Sequence, residues 1–201
     1  KGALDLLEGV VKKFPQNPRV IAHRDSTRLK LLRKTAGLNP PDDIQKKLKT
    51  LFDGAKWPEL FKATSLLIDV HPNSTFLMNM LGIANLELGD LDASERQHRK
   101  ALLRNPNLAG TYINLGNALQ AQGKILEAIE CYKISISKDP NIAEAYNNLA
   151  NCLNVFGNYD EVENHYQTAV KKNPNYSDAK YNLGGIKLLK GEFKEGWGLR
   201  E

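Results

Sequence analysis

The sequence predicts an all-α fold, a right-handed α-solenoid built from stacked helix–turn–helix hairpins. Three observations carry that expectation. Pro72, Pro106, Pro140 and Pro174 are spaced by 34 residues, and an asparagine follows each of them (Asn73, Asn107, Asn141 and Asn175). Leucine stands nine residues after every one of these prolines (Leu81, Leu115, Leu149, Leu183), trailed by a small residue (Gly82, Gly116, Ala150, Gly184). Glycine stands seventeen residues after each (Gly89, Gly123, Gly157, Gly191), with an apolar residue two places further on (Leu91, Ile125, Tyr159, Phe193). Self-similarity at a fixed period of this size marks a repeat architecture.

Residues 1–41 depart from the strict period and read as an irregular amino-terminal cap. Ala3, Leu7, Val10 and Pro15 match the second helix of a unit whose first helix is absent. Pro18 to Ala36 reads as one long basic helix that ends at Gly37, and Pro40-Pro41 breaks the chain after it. Residues 42–72 read as a degenerate hairpin, with Asp42 to Phe52 as its first helix and Gly54, Trp57 and Leu66 in its second half. Full units then occupy 73–106, 107–140 and 141–174, and residues 175–201 hold a final unit or capping helix.

Within a unit the physics is legible. Tyr112, Leu115, Ala118 and Leu119 recur at helical spacing, as do Ile125, Ala128, Ile129 and Tyr132 in the following helix. The glycine between them accepts the left-handed conformation at little cost and ends the first helix. The next proline stops the second, because it has no amide hydrogen and disfavours helix in the residue before it. Small residues at 82, 116, 150 and 184 let the two helices approach closely. One hairpin cannot bury both its faces, so neighbours must stack into a continuous core. Stacking leaves a concave surface lined by the first helix of each hairpin.

These residues resemble the tetratricopeptide repeat (TPR) family, with the period, the Leu-Gly pair, the turn glycine and the terminal proline all present. Ser94, Val162 and Gly196 stand where that family usually has alanine, as at Ala128, and are expected to soften the packing; His98 takes the place of Tyr132 and Tyr166. The strings YINLGNAL (112–119), YNNLANCL (146–153) and YNLGGIKL (181–188) further resemble the repeats preceding the catalytic domain of O-linked N-acetylglucosamine transferases and similar bacterial multidomain proteins. That resemblance implies a groove in which asparagines hydrogen-bond the backbone of a bound peptide, and the matching positions are Asn114, Asn148 and Asn182. Asn117 and Asn151, one helical step on, extend the strip, while Met80, Ile83 and Gly185 interrupt it. Glu144 and Asp178 flank it near the first-helix starts and would select basic side chains. An amide complements a peptide unit whatever its side chain, since it offers two donors and one acceptor oxygen. A purely structural role, with these asparagines pinning neighbouring helices, stays open. The ending GEFKEGWGLRE resembles segments that close bacterial arrays of this type, with Gly196 and Trp197 capping the last hairpin.

Composition fits a soluble interaction module. The chain has 201 residues, 41% apolar and 25% charged, and no run approaches the roughly 18 apolar residues of a membrane span. Cys131 and Cys152 fall inside helical patterns as buried, reduced thiols, which suits a cytoplasmic setting. The glycosylation sequons at Asn73 and Asn175 come with no secretory signal. Residues 1–56 carry 13 Lys/Arg against 6 Asp/Glu, yet no aromatic residues interleave with them, so a solvated helix face is preferred to a nucleic-acid or lipid surface over Arg19 to Lys34. His23, His71, His98 and His165 show no metal-ligand spacing, and no phosphate loop or nucleophile elbow occurs. No metal, cofactor or catalytic residue is expected within these residues. The expected function is a protein-interaction scaffold for a peptide or protein segment. The alternative is the substrate-recruiting or homodimerising arm of a larger transferase of glycosyltransferase type, whose catalytic domain lies beyond residue 201.

Overall fold

The computed structural model describes residues 38–200. The expected amino-terminal helices, including the basic segment Arg19 to Lys34, lie outside them. Ten α-helices occur among the described residues, and the fold is an all-α repeat solenoid. The chain divides into two compact units at Pro106/Asn107.

The first unit contains α1 (Asp42–Asp53), α2 (Trp57–Val70), α3 (Thr75–Glu87) and α4 (Leu91–Arg104). Each packs on the next. Ile44, Leu48 and Leu51 of α1 meet Leu60, Ala63 and Leu67 of α2 and Leu77 and Ala84 of α3 in one apolar core. Ser74 caps α3 by accepting from the Leu77 amide at 3.2 Å, and Asp90 caps α4 through Ala93 at 3.0 Å. The first turn departs from the repeat. Gly54, expected as the turn glycine, has φ −86°, and the left-handed residue is Ala55 at +50°. The left-handed position keeps the register, 34 residues before Gly89, but there a methyl-bearing residue carries a conformation that costs about 1 kcal/mol.

The second unit contains α5 (Ala109–Ala121), α6 (Ile125–Lys138), α7 (Ala143–Leu153), α8 (Tyr159–Lys172), α9 (Ser177–Leu189) and α10 (Phe193–Gly198). Successive helices pack on one another, and the first helices α5 and α7 also touch. Gly89, Gly123, Gly157 and Gly191 all sit at φ between 76° and 85°, which is why the period keeps glycine there. The loops between hairpins are Asx turns: Asp139 accepts from the Asn141 amide at 2.9 Å and Asn173 from the Asn175 amide at 3.1 Å, across the intervening proline. Lys138 and Lys172 then reach back 31 residues to the side-chain oxygens of Asn107 and Asn141, both at 3.0 Å. Asn107 and Asn141, each following a proline, therefore tie the two ends of their hairpins together.

Close approach within each hairpin is set by the small residue after leucine. A Cβ on Gly116 would lie 2.6 Å from the Tyr132 ring, and one on Gly82 would lie 2.5 Å from the His98 ring. In the last hairpin Arg200 occupies that position: its chain lies over Gly184 and its guanidinium stacks 3.7 Å from the centre of the Tyr181 ring. Gly196 does not soften the packing as expected. A Cβ there would meet Leu188 at 2.7 Å, and a Cβ on Gly184 would meet the Gly196 carbonyl oxygen at 2.7 Å, so α9 and α10 touch backbone to backbone. Trp197, expected to close this end alongside it, is 59% exposed.

Candidate functional site

The polar strip lies on α5, α7 and α9, and its amides are joined across hairpins by a repeating relay. Asn148 donates to Asn117 Oδ1 at 2.9 Å, and Asn182 donates to Asn151 Oδ1 at 3.2 Å. Tyrosine from the second helix of the same hairpin closes each joint: Tyr132 donates to Asn117 at 2.8 Å and Tyr166 to Asn151 at 2.6 Å. Both acceptor oxygens are thus filled by two donors. Asn117 and Asn151 hold the neighbouring asparagine in place and leave no oxygen of their own for a ligand.

Asn147 adds a second tie. Buried beside Asn148, it donates to Asn148 Oδ1 at 3.1 Å and to the Tyr176 hydroxyl at 3.4 Å, and accepts from Asn182 at 3.1 Å. Sequence reasoning missed this residue, and the tyrosine hydroxyls as partners. A signal existed: tyrosine follows Asn117 and Asn151 by the same fifteen residues. Burial moves these hydroxyls far from ionisation, with Tyr166 and Tyr176 both pushed up to about 12, so at neutral pH Tyr132 and Tyr166 donate to the asparagines while the protonated Tyr176 hydroxyl accepts from Asn147.

The atoms left over define what the strip offers. Asn114 has no hydrogen-bond partner among the described residues. The position one repeat before Asn117 is Ile83, which has no acceptor to give. Asn148 keeps one N–H and one lone pair, Asn151 keeps its amide nitrogen, and Asn182 keeps its oxygen. Donors and acceptors both remain, one repeat apart.

The carboxylates expected beside the strip differ from each other. Glu144 lines an open recess of about 370 Å³ with Asn141, Ile142, Ala143, Asn173 and Tyr176. Its partial desolvation raises its pKa, opposed by a hydrogen bond from the Asn117 side chain. Asp178 is exposed and reaches the strip only through its field on Tyr176. Cys131 and Cys152 form no disulfide and are buried as expected, with burial pushing the Cys152 thiol up to about 11. No helix among the described residues is long and apolar enough to cross a membrane. Nor do three or more His, Cys, Asp or Glu gather there in a way that would hold a metal ion.

Paired helices joined by a left-handed glycine, closed by proline and stacked through a periodic amide relay, define a helical-hairpin repeat protein. Two family models, both described as tetratricopeptide repeat, match residues 109–142 and 143–176. Residues 109–176 are thus two consecutive tetratricopeptide repeats. Among curated proteins it is 28% identical over 156 residues to the aspartyl/asparaginyl beta-hydroxylase of Mus musculus, covering 67% of this chain. It spans only 21% of that relative's length. Among solved structures it is similar to TTC0263, a thermophilic TPR protein of Thermus thermophilus, with TM-score 0.69 at 16% identity, covering 77% of this chain and 85% of that one. It is also similar to YrrB, described as a TPR protein with an unusual peptide-binding site, with TM-score 0.60 at 14% identity over 96% and 89% of the two chains. A third neighbour is the first TPR of Spaghetti (RPAP3) bound to an HSP90 peptide, with TM-score 0.55 at 15% identity over 58% and 93%.

Proposed function

We propose that the chain is a protein-interaction scaffold whose second unit binds an extended protein segment along α5, α7 and α9. The observation that carries this reading is the unspent hydrogen-bonding capacity of Asn114, Asn148 and Asn182, which recur at one-repeat intervals, the last two held in place by the relay. Alternating free donors and acceptors suit a peptide backbone, and each such bond contributes a net 0.5–1.5 kcal/mol or so. Affinity built this way is moderate and broad. Asn117 and Asn151 orient the contacts, and Glu144 and Asp178 border the strip where a basic side chain of the ligand would lie. Two structural neighbours described as peptide-bound or peptide-binding repeat proteins are consistent with it.

Affinity capture of partners from lysate tests the reading. The triple variant N114A/N148A/N182A is expected to lose most of the partner set that the wild-type chain recovers. Equal recovery by both would remove the strip from the account.

The hydroxylase match, confined to about a fifth of that relative's length, favours a second reading, in which the array serves as the recruiting arm of a larger enzyme. Reading the native coding region on both sides decides it: a continuing catalytic domain supports the arm, and its absence ends the idea.

A further inference from the structure

The repeats act as internal controls for one another, and the hairpin of α3 and α4 breaks their pattern at the last turn of α4. In the next two hairpins the last-turn lysines, Lys138 and Lys172, are tied to Asn107 and Asn141. The matching residue here is Arg104, which has no such bridge to Asn73 and no ion pair among the described residues. One residue before it stands Leu103, 84% exposed, where the other hairpins carry Ser137 and Lys171. One turn earlier is Lys100, likewise without an ion pair, where the others have Ile134 and Thr168. These three residues, with Pro72 and Met78, line an open recess of about 490 Å³. No carboxylate is among them.

An exposed leucine beside two unpaired cations is not what a solvated face needs, and the repeat shows that the fold does not need it either. We propose that this recess is a second docking site, separate from the asparagine strip, for an acidic protein segment that presents a bulky apolar anchor side chain. The recess takes the anchor against Leu103, Met78 and Pro72. Lys100 and Arg104 pair with carboxylates on either side of it, which gives the orientation and speeds encounter. The volume lies within the roughly 300–1,000 Å³ typical of side-chain and ligand pockets. A membrane surface shares the taste for cations, but interfacial binding draws on a broad apolar face, whereas this site is a hollow with one protruding leucine.

Selection from a displayed library of random dodecapeptides tests the site, followed by affinity measurement on single peptides. Enriched peptides are expected to place Asp or Glu beside a large apolar residue and to bind more weakly as salt is raised. Leu103→Ser, which installs the residue of the next repeat, and the pair K100Q/R104Q should each weaken them tenfold or more. The strip variant N114A/N148A/N182A should bind them as wild type does, which keeps this site distinguishable from the groove. Far-UV circular dichroism confirms that the surface variants fold. The proposal is overturned if no peptide is enriched, if enriched peptides bind the two recess variants at wild-type strength, or if the chain binds phosphatidylserine vesicles through these residues and no peptide.

Discussion

At the scale of single residues, His98 is the most informative departure from the repeat. It is fully buried over Gly82, where Tyr132 covers Gly116 in the next hairpin. Its Nδ1 lies 3.3 Å from Asn79 Oδ1, and desolvation lowers its pKa from 6.5 to about 4. A lowered histidine pKa means that the unfolded chain binds the proton more readily than the folded one. The contribution to stability is therefore complete above pH 6.5 and is lost as pH falls towards about 4. Urea unfolding of wild type and His98→Phe across that window should show the wild type losing stability faster on acidification. Parallel curves would mean that the ring is not held neutral by burial.

At the scale of elements, the last hairpin is pinned by charge as well as packing. Lys187 of α9 pairs with Glu163 of α8 at 3.3 Å, with Glu192 at 2.6 Å and with Glu195 of α10 at 2.8 Å. Lys190 bridges Asp160 and Glu163. The Lys187 and Glu163 side chains are 11% and 10% exposed, so that one contact is sheltered from water, while Glu195 and Asp160 are open to it. The Glu163 carboxyl is held below its ordinary pKa, chiefly by its hydrogen bond from Lys190. Its stabilising share is present above the ordinary carboxylate pKa and disappears as pH falls through the lowered value. Lys187→Met keeps the length of the side chain and removes the charge, and should cost about 2 kcal/mol. Hydrogen exchange should place the loss in α9 and α10. Unchanged protection there would show that packing alone fixes the hairpin.

At the scale of the whole molecule, stability in a repeat array is a sum of unit terms and nearest-neighbour terms. Gly116→Val would drive a branched side chain into the Tyr132 ring, where even a Cβ would come within 2.6 Å, and overpacking of this kind costs about 1–3 kcal/mol. Because Tyr132 also closes the Asn117–Asn148 joint, the disturbance should pass to α7. Exchange is expected to accelerate in α5, α6 and α7, and much less in α9. Uniform acceleration across the second unit would indicate one cooperative block instead.

The 34-residue period by itself determined the hairpins, their turns and the side that carries the asparagines, because proline, glycine and apolar spacing act over a few residues and are written locally. It also supplied the small-residue contacts, since only glycine or alanine fits beneath a packed ring. The amino-terminal break was less legible. Gly54 looked like the turn residue, yet the left-handed conformation falls on Ala55, the position 34 residues before Gly89, so the register outweighs the residue type there. Gly196 read as a weakness until its neighbour Gly184 was seen against it. The roles within the strip belonged wholly to tertiary structure. Asn114 and Asn117 are the same residue type three positions apart on α5, but Asn117 is filled by Tyr132 and Asn148 while Asn114 is left open. A sequence fixes which hydrogen-bonding groups a chain owns; only the folded neighbours decide which of them are already spent.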